Sequence, residues 1–181
     1  LPNDHGEVLS RSDFNLPSGM KIAVFGGQLT AGRGIEEIIS VSKIAQKNGD
    51  DILFLFVGDG PHAELIRDHI ARGAWNVAVI NWIQRDRYLL LLSLCDIALV
   101  CTVRDVDVPT FPSKTIDYFK ASLPIAASVE ASTDYGAWIE ERQSGYCSRA
   151  GDIDGFYKII KRLSDKQALR AFFGKNGNDY F

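Results

Sequence analysis

Residues 21–27 read Lys-Ile-Ala-Val-Phe-Gly-Gly, an apolar run with β-branched and aromatic members that ends in two glycines. This pattern is typical of a buried strand that stops at a tight turn. From Ile35 the apolar residues recur at helical spacing as far as Asn48-Gly49, which predicts a helix and its end. Residues 51–57, Asp-Ile-Leu-Phe-Leu-Phe-Val, then predict a second buried strand, closed by Gly-Asp-Gly. The chain is therefore predicted to begin as strand, helix and strand.

The same alternation continues along the rest of the sequence. Further strands are predicted at residues 76–81, 96–102, 124–128 and 145–148, and helices at residues 85–94, 112–121, 153–163 and 167–173. Another helix is predicted to start at Pro61, with Leu65, Ile66 and Ile70 on its inner face. Strands that alternate with helices indicate right-handed crossovers. The predicted fold class is α/β, a doubly wound, mostly parallel sheet of about six strands with helices on both faces.

The turns at one edge of this sheet are where a site is expected, because ligands of doubly wound sheets bind outside the carboxyl ends of the strands. These turns follow Gly27, Val57, Asn81 and Thr102. Trp82, just past the third strand, is expected to cover the sheet, with packing against a nucleotide base as the alternative.

Composition excludes several classes of protein. The 181 residues carry a net charge of -3 and 46% are hydrophobic, which predicts one globular domain without the basic surface that nucleic-acid binding needs. The three cysteines form no CxxC pair and the three histidines lack zinc-site spacing, so no metal is expected. The longest apolar run, residues 88–103, is interrupted by Asp96 and is too short for a transmembrane segment. Reduced thiols favour a cytoplasmic location.

The glycine-rich turn at residues 26–34 connects a strand to a helix and is suited to bind an anion. A P-loop is disfavoured because Arg33-Gly34 stand where Lys-Ser/Thr should, and a dinucleotide fingerprint fails because its third glycine would fall on Glu37. What remains is a turn with one guanidinium, suited to a diphosphate. The alternative is a tight turn with a solvated arginine.

Taken together, the turns resemble those of one enzyme family. The matching segments are Gly27-Gln28-Leu29 with Arg33-Gly34, then residues 56–61, 96–100, 112–119 and 124–128. In this order and spacing they resemble the carboxy-terminal, donor-binding lobe of the group 1 glycosyltransferases, two-lobed retaining GT-B enzymes similar to family 4. The resemblance covers nearly the whole chain.

This resemblance implies that a nucleotide sugar is bound in a cleft between two lobes, with no other cofactor and no metal. The family's first turn usually carries an arginine and a lysine that neutralise the diphosphate, and those positions here are Gln28 and Arg33. The carboxylate that usually binds the ribose hydroxyls falls on Asp117, and its partner carboxylate is replaced by Pro109.

Pro112-Ser113-Lys114 matches a variant among bacterial surface-polysaccharide transferases, and Lys114 is expected to replace the cation missing at Gln28. The resemblance thus implies that Arg33 and Lys114 stabilise the leaving group. The residues implied to bind substrate are Gly27, Gln28, Gly58, Asn81, Ser113 and Asp117. For Lys114 and Asp117, ordinary polar positions in a helix are the alternative.

Residues 1–18 are interpreted as the hinge entering this lobe and residues 19–181 as the donor-binding domain, with the amino-terminal, acceptor-binding lobe absent from this chain. The expected partners are a nucleoside-diphosphate sugar (a UDP-sugar rather than a GDP-sugar), the missing lobe, and a glycan or lipid-linked acceptor of surface-polysaccharide or lipopolysaccharide synthesis. The full-length protein is expected to act in the cytoplasm, at the inner face of the membrane, and the fragment alone is expected to be inactive. Two alternatives stay open: a non-catalytic ligand-binding or regulatory module, and a nucleotide-sugar epimerase with the same fold.

Overall fold

The computed structural model describes residues 9–103 and 111–180. Its strands are β1 (Lys21–Gly26), β2 (Ile52–Val57), β3 (Val77–Ile80), β4 (Ile97–Cys101), β5 (Ile125–Val129) and β6 (Gly145–Arg149). Its helices are α1 (Ile35–Asn48), α2 (Ala63–Ala71), α3 (Arg85–Ser93), α4 (Lys114–Lys120), α5 (Tyr135–Glu141), α6 (Ile153–Asp165) and α7 (Gln167–Asp179), preceded by a short 3-10 helix at Arg11–Phe14.

The six strands form one sheet in the order β3-β2-β1-β4-β5-β6, and every pairing between them is parallel. The chain moves outward from β1 to β3 and then returns to place β4 on the other side of β1. The gap between the carboxyl ends of β1 and β4 is therefore the topological switch point, where sheets of this kind bind ligands. The predicted fold class is confirmed.

Alternating residues of β1 supply the two cores that cover the sheet. Ala23 and Phe25 face a cluster that includes Ile38 of α1 and Ile66 of α2. Ile22 and Val24 face a second cluster, formed with α3, α4 and α5. Successive side chains of a strand point to opposite faces, and both faces are apolar here because helices cover both.

Helix α2 differs from its predicted start. It begins at Ala63, since Pro61 lies in the preceding turn, where the His62 amide donates to the Leu29 carbonyl at 2.8 Å. Ile66 is fully buried but Leu65 is 42% exposed. The prediction that Leu65 lies on the inner face of α2 was therefore wrong. Adjacent helical residues lie about 100° apart, and the face set by Ala63 and Ile66 turns Leu65 to solvent.

Helix α4 is also shorter than predicted, and α5 was not predicted. Pro112 and Ser113 form the turn before α4, in which the Thr115 amide donates to the Pro112 carbonyl at 3.0 Å. Helix α5 has only seven residues and is rich in aromatic and acidic ones. Such a short segment shows too few helical repeats for its period to be recognised.

The described part of the predicted hinge packs against the domain. Phe14 and Leu16 are buried in the second core cluster, and Arg11 forms an ion pair of 2.8 Å with Asp96 at the start of β4. Residues 1–8 lie outside the described part of the chain. The role of this segment as a hinge stays a prediction.

Candidate functional site

The first glycine turn lies against the carboxyl end of β4. Gly34 precedes α1 with a φ of 65°, and a Cβ atom at this position would lie 2.4 Å from the Cβ of Cys101. Both the left-handed backbone and the close approach therefore require glycine. This contact places the turn, with its exposed Gln28 and Arg33, at the topological switch point.

Lys114 reaches into the same place from the first residue of α4. Its Nζ lies 3.6 Å from the centroid of the Phe25 ring and 3.5 Å from where a Cβ of Gly27 would be. Burial, with the nearby charge of Arg33 as a further cause, lowers the pKa of Lys114 to about 7. The structure thus brings Gly27, Arg33 and Lys114 together, although they come from two turns some 80 residues apart.

Gly58, in the turn after β2, packs against the glycine turn at Gly27. It is buried with a φ of 146°, and a Cβ there would lie 1.9 Å from the carbonyl oxygen of Gly27. The Gly27 amide also donates to the Val57 carbonyl at 2.9 Å. Gly58, which the family resemblance implies to bind substrate, is therefore a position where the turn after β2 contacts the turn after β1.

Two tyrosines, the buried Tyr118 and the half-buried Tyr88, lie beneath the end of β1. The Tyr118 hydroxyl accepts a hydrogen bond of 3.0 Å from the Gly26 amide, and a Cβ at Gly26 would collide with the Tyr88 hydroxyl. Burial raises the pKa of both tyrosines, so they remain neutral hydrogen-bonding groups.

Asp117 lies one turn after Lys114 in α4 and is 9% exposed. Both of its carboxylate oxygens accept hydrogen bonds from Arg85, the first residue of α3: Nη1 to Oδ2 at 3.1 Å and Nη2 to Oδ1 at 2.5 Å. The hydrogen bonds and charge of Asp117 raise the pKa of Arg85. Arg85 is not among the site residues predicted from the sequence, although it follows a turn expected to face the site.

The remaining candidates are spread along the same edge. Asn81 is exposed, and its Oδ1 accepts a hydrogen bond of 3.0 Å from Arg67. It lines an open cavity of about 780 Å³ beside β3 together with Trp82, which is 68% exposed, so the expectation that Trp82 covers the sheet was wrong. Ser113 is exposed before α4, and its side chain does not cap that helix. Pro109 lies outside the described residues.

Within residues 9–103 and 111–180, no group of three or more His, Cys, Asp or Glu side chains is placed to hold a metal ion. In the same part of the chain, no helix has the length and apolar character needed to span a membrane.

A family model described as glycosyl transferases, group 1, matches residues 9–180. No curated protein matches at a significant level. Among solved structures, HepE from Anabaena in complex with UDP and glucose has a TM-score of 0.75 and 16% identity, over 94% of this chain and 45% of that chain. WaaG, a glycosyltransferase involved in lipopolysaccharide biosynthesis, has a TM-score of 0.71 and 15% identity, over 94% and 45% of the two chains.

The C-terminal domain of a group 1 glycosyl transferase, LpcC from Francisella tularensis, has a TM-score of 0.72 and 18% identity. There the match covers 93% of this chain and 87% of that one. TarM from S. aureus and WaaG are longer proteins, and this chain spans 33% of the length of TarM and 45% of the length of WaaG. At these identities the likeness shows a shared fold, a single Rossmann-like lobe.

Proposed function

Because this chain belongs to the group 1 glycosyl transferases, we propose that it is the donor-binding lobe of a retaining glycosyltransferase that takes its sugar from a nucleoside diphosphate. The observation that carries the proposal is the position of Lys114. Its Nζ lies beside Gly27 at the topological switch point, over the ring of Phe25. An ammonium group next to a glycine turn can bind a diphosphate through charge-assisted hydrogen bonds.

The amides of Gly27 and Leu29 already donate to the carbonyls of Val57 and Asp59. In the proposed complex the Gln28 amide of this turn donates to the diphosphate, and Arg33 and Lys114 supply positive charge. As the bond between sugar and diphosphate breaks, negative charge develops on the departing nucleoside diphosphate. Groups already in place stabilise that charge without having to reorganise. The chemical task of this lobe is thus to hold the donor and neutralise the leaving group.

A UDP-sugar is the proposed donor. The supporting observations are the solved structures of HepE with UDP and glucose and of TarM with UDP, which share the fold of this chain. The proposed acceptor is a glycan or lipid-linked saccharide of bacterial surface-polysaccharide synthesis, in line with the pathway of WaaG. The acceptor would be bound by a second, amino-terminal lobe, and the proposed setting is the cytoplasmic side of the membrane.

The test is a calorimetric titration of this chain with UDP, GDP and the glucose conjugate of each. We expect UDP to bind more tightly than GDP, and the lone lobe to transfer no sugar. If neither nucleotide binds, the proposed function is wrong. Tighter binding of GDP would contradict only the choice of base. Retention is tested on the full-length protein by the anomeric configuration of its first product, observed by NMR.

A further inference from the structure

The ion pair between Arg85 and Asp117 connects two of the turns that face the site. Arg85 begins α3, directly after the turn that follows β3, and Asp117 lies in the helix that follows β4. The pair is bidentate, at 2.5 and 3.1 Å, so the guanidinium fixes the plane of the carboxylate as well as its distance.

The two side chains of this pair differ in exposure. The Arg85 side chain is 62% exposed, and ion pairs with such exposure contribute little to stability. The Asp117 side chain is only 12% exposed, and Arg85 is its one ion-pair partner among the described residues. The arginine thus holds an almost buried carboxylate in one orientation.

The pair uses only part of the acceptor capacity of Asp117. Each carboxylate oxygen has two lone-pair directions, and Arg85 occupies one on each oxygen. One further acceptor direction per oxygen remains, which matches the demand of two vicinal hydroxyl groups. Asp117 also follows Lys114 by three residues, so both side chains belong to one side of α4.

We propose that Arg85 is a positioning residue for the nucleotide: it orients the Asp117 carboxylate so that its remaining lone pairs accept hydrogen bonds from both ribose hydroxyls. The inference rests on the proposed function, since it concerns the ribose of the same donor. Arg85 itself acts through Asp117 and does not contact the ligand. A structural ion pair and a direct ligand contact are the competing roles.

The experiment measures the affinity of UDP, 2′-deoxy-UDP and pyrophosphate for the native chain and for Arg85→Ala, Arg85→Lys, Asp117→Asn and the double variant Arg85→Ala/Asp117→Asn. Arg87→Ala is the matched control, because Arg87 is exposed on the same helix and its guanidinium lies over the Phe14 ring. Thermal melting checks that each variant is folded.

We expect Arg85→Ala to weaken UDP binding about tenfold, the loss of a single hydrogen bond to a charged group. The preference for UDP over 2′-deoxy-UDP should fall to within about twofold, and pyrophosphate affinity should stay within about threefold of native. Arg85→Lys should keep an intermediate preference, because one ammonium cannot hold both oxygens. In the Asp117→Asn background, removing Arg85 should have no further effect, because Arg85 acts through the carboxylate.

An equal loss of affinity for UDP and 2′-deoxy-UDP in Arg85→Ala would overturn the proposal, as would an undiminished effect of Arg85→Ala in the Asp117→Asn background. If Arg85→Ala does not fold, Arg85→Lys decides, and an unchanged ribose preference in that variant contradicts the inference. The native chain separates the two claims: no UDP binding there refutes the proposed function, whereas native binding with an unaltered preference in Arg85→Ala refutes only the role of Arg85.

Discussion

At the scale of single residues, Lys114 has the most informative surroundings. Its Nζ lies over an aromatic ring, and it is absent from the ion pairs found among the described residues. Burial and the neighbouring Arg33 destabilise the charged form of this lysine. An anion bound between Lys114 and Arg33 would remove that cost, which is the physical reason for placing the diphosphate there.

Lys114→Met keeps the apolar length of the side chain and removes the charge. We expect it to weaken UDP binding by about 1.5–3 kcal/mol, the range for hydrogen bonds to charged groups, and Arg33→Ala to have an effect of similar size. Isothermal calorimetry measures the affinities, with Lys158→Met as a control at an exposed lysine of α6. Unchanged affinity in both Lys114→Met and Arg33→Ala would show that the anion site lies elsewhere.

The lowered pKa of Lys114, about 7, predicts a pH dependence of binding. The diphosphate favours the ammonium form, so affinity for UDP-glucose should fall by up to about tenfold per pH unit as the pH rises above that value. The diphosphate of UDP-glucose is a diester that does not titrate in this range. Nearby Cys101 stays a thiol, because burial raises its pKa. Calorimetry at several pH values should show this decline in the native chain and a flat profile in Lys114→Met; matching profiles would contradict the assignment.

Lys114 should also make the free energy of unfolding depend on pH, in the direction opposite to its effect on UDP-glucose affinity. Between pH 7 and the ordinary lysine value of 10.5, the unfolded chain binds a proton that the folded chain lacks. The free energy of unfolding contributed by Lys114 therefore rises with pH across this window. Measured by urea denaturation, the free energy of unfolding of the native chain should therefore rise relative to that of Lys114→Met as the pH increases from 7 to 10.5. A difference between the two chains that does not change with pH would argue against the burial of this lysine.

At the scale of elements, the site depends on turns that approach one another closely. The turn after β2 presses against the turn after β1 at Gly58, and the turn before α1 presses against β4 at Gly34. A side chain at either position would separate the turns. The strands and helices place these turns, but the glycines decide how near the backbones come.

Gly58→Ala should therefore destabilise the fold and weaken UDP binding together, because the added Cβ would collide with the Gly27 carbonyl. We expect a loss of about 2 kcal/mol or more in the free energy of unfolding, measured by urea denaturation. Gly73→Ala is the matched control: Gly73 also has a positive φ, 99°, but has open space around its Cβ position. Its cost should be about 1 kcal/mol with UDP affinity unchanged. Equal effects of the two changes would remove the contact between turns as the cause.

At the scale of the whole molecule, one edge of the sheet gathers the groups of the candidate site. The segment after β1 supplies Gly27 and Arg33, the one after β3 supplies Arg85, and α4 supplies Lys114 and Asp117. Among these side chains Asp117 is paired with Arg85. Arg33 and Lys114 are then the two cations of this group that a diphosphate could use.

We therefore expect nucleotide binding to need no divalent cation, since protein cations would already neutralise the diphosphate. Titration of the native chain with UDP in excess EDTA should give the same affinity as titration with added Mg²⁺. Loss of binding on chelation would contradict this prediction and would assign the neutralising role to a metal ion.

Much of the fold could be predicted because its signals are local. Burial on both faces makes each strand a continuous apolar run, and the predicted strands agree with the observed ones within one or two residues. The turns at the carboxyl edge could be found for the same reason. Helix α5 and the exposure of Leu65 and Trp82 could not, since a short segment and a helix phase have weak local signals.

The sequence by itself determined the alternation of strands and helices, the α/β class and the turns in which a site should lie, since these follow from periods of apolar residues along the chain. Only the tertiary structure decided the strand order, the contact of the Lys114 ammonium with the Phe25 ring, and the pairing of Arg85 with Asp117, 32 residues apart. These depend on which strands become neighbours and how helices pack over them. No local pattern specifies that arrangement, because it is set by the packing of the whole chain.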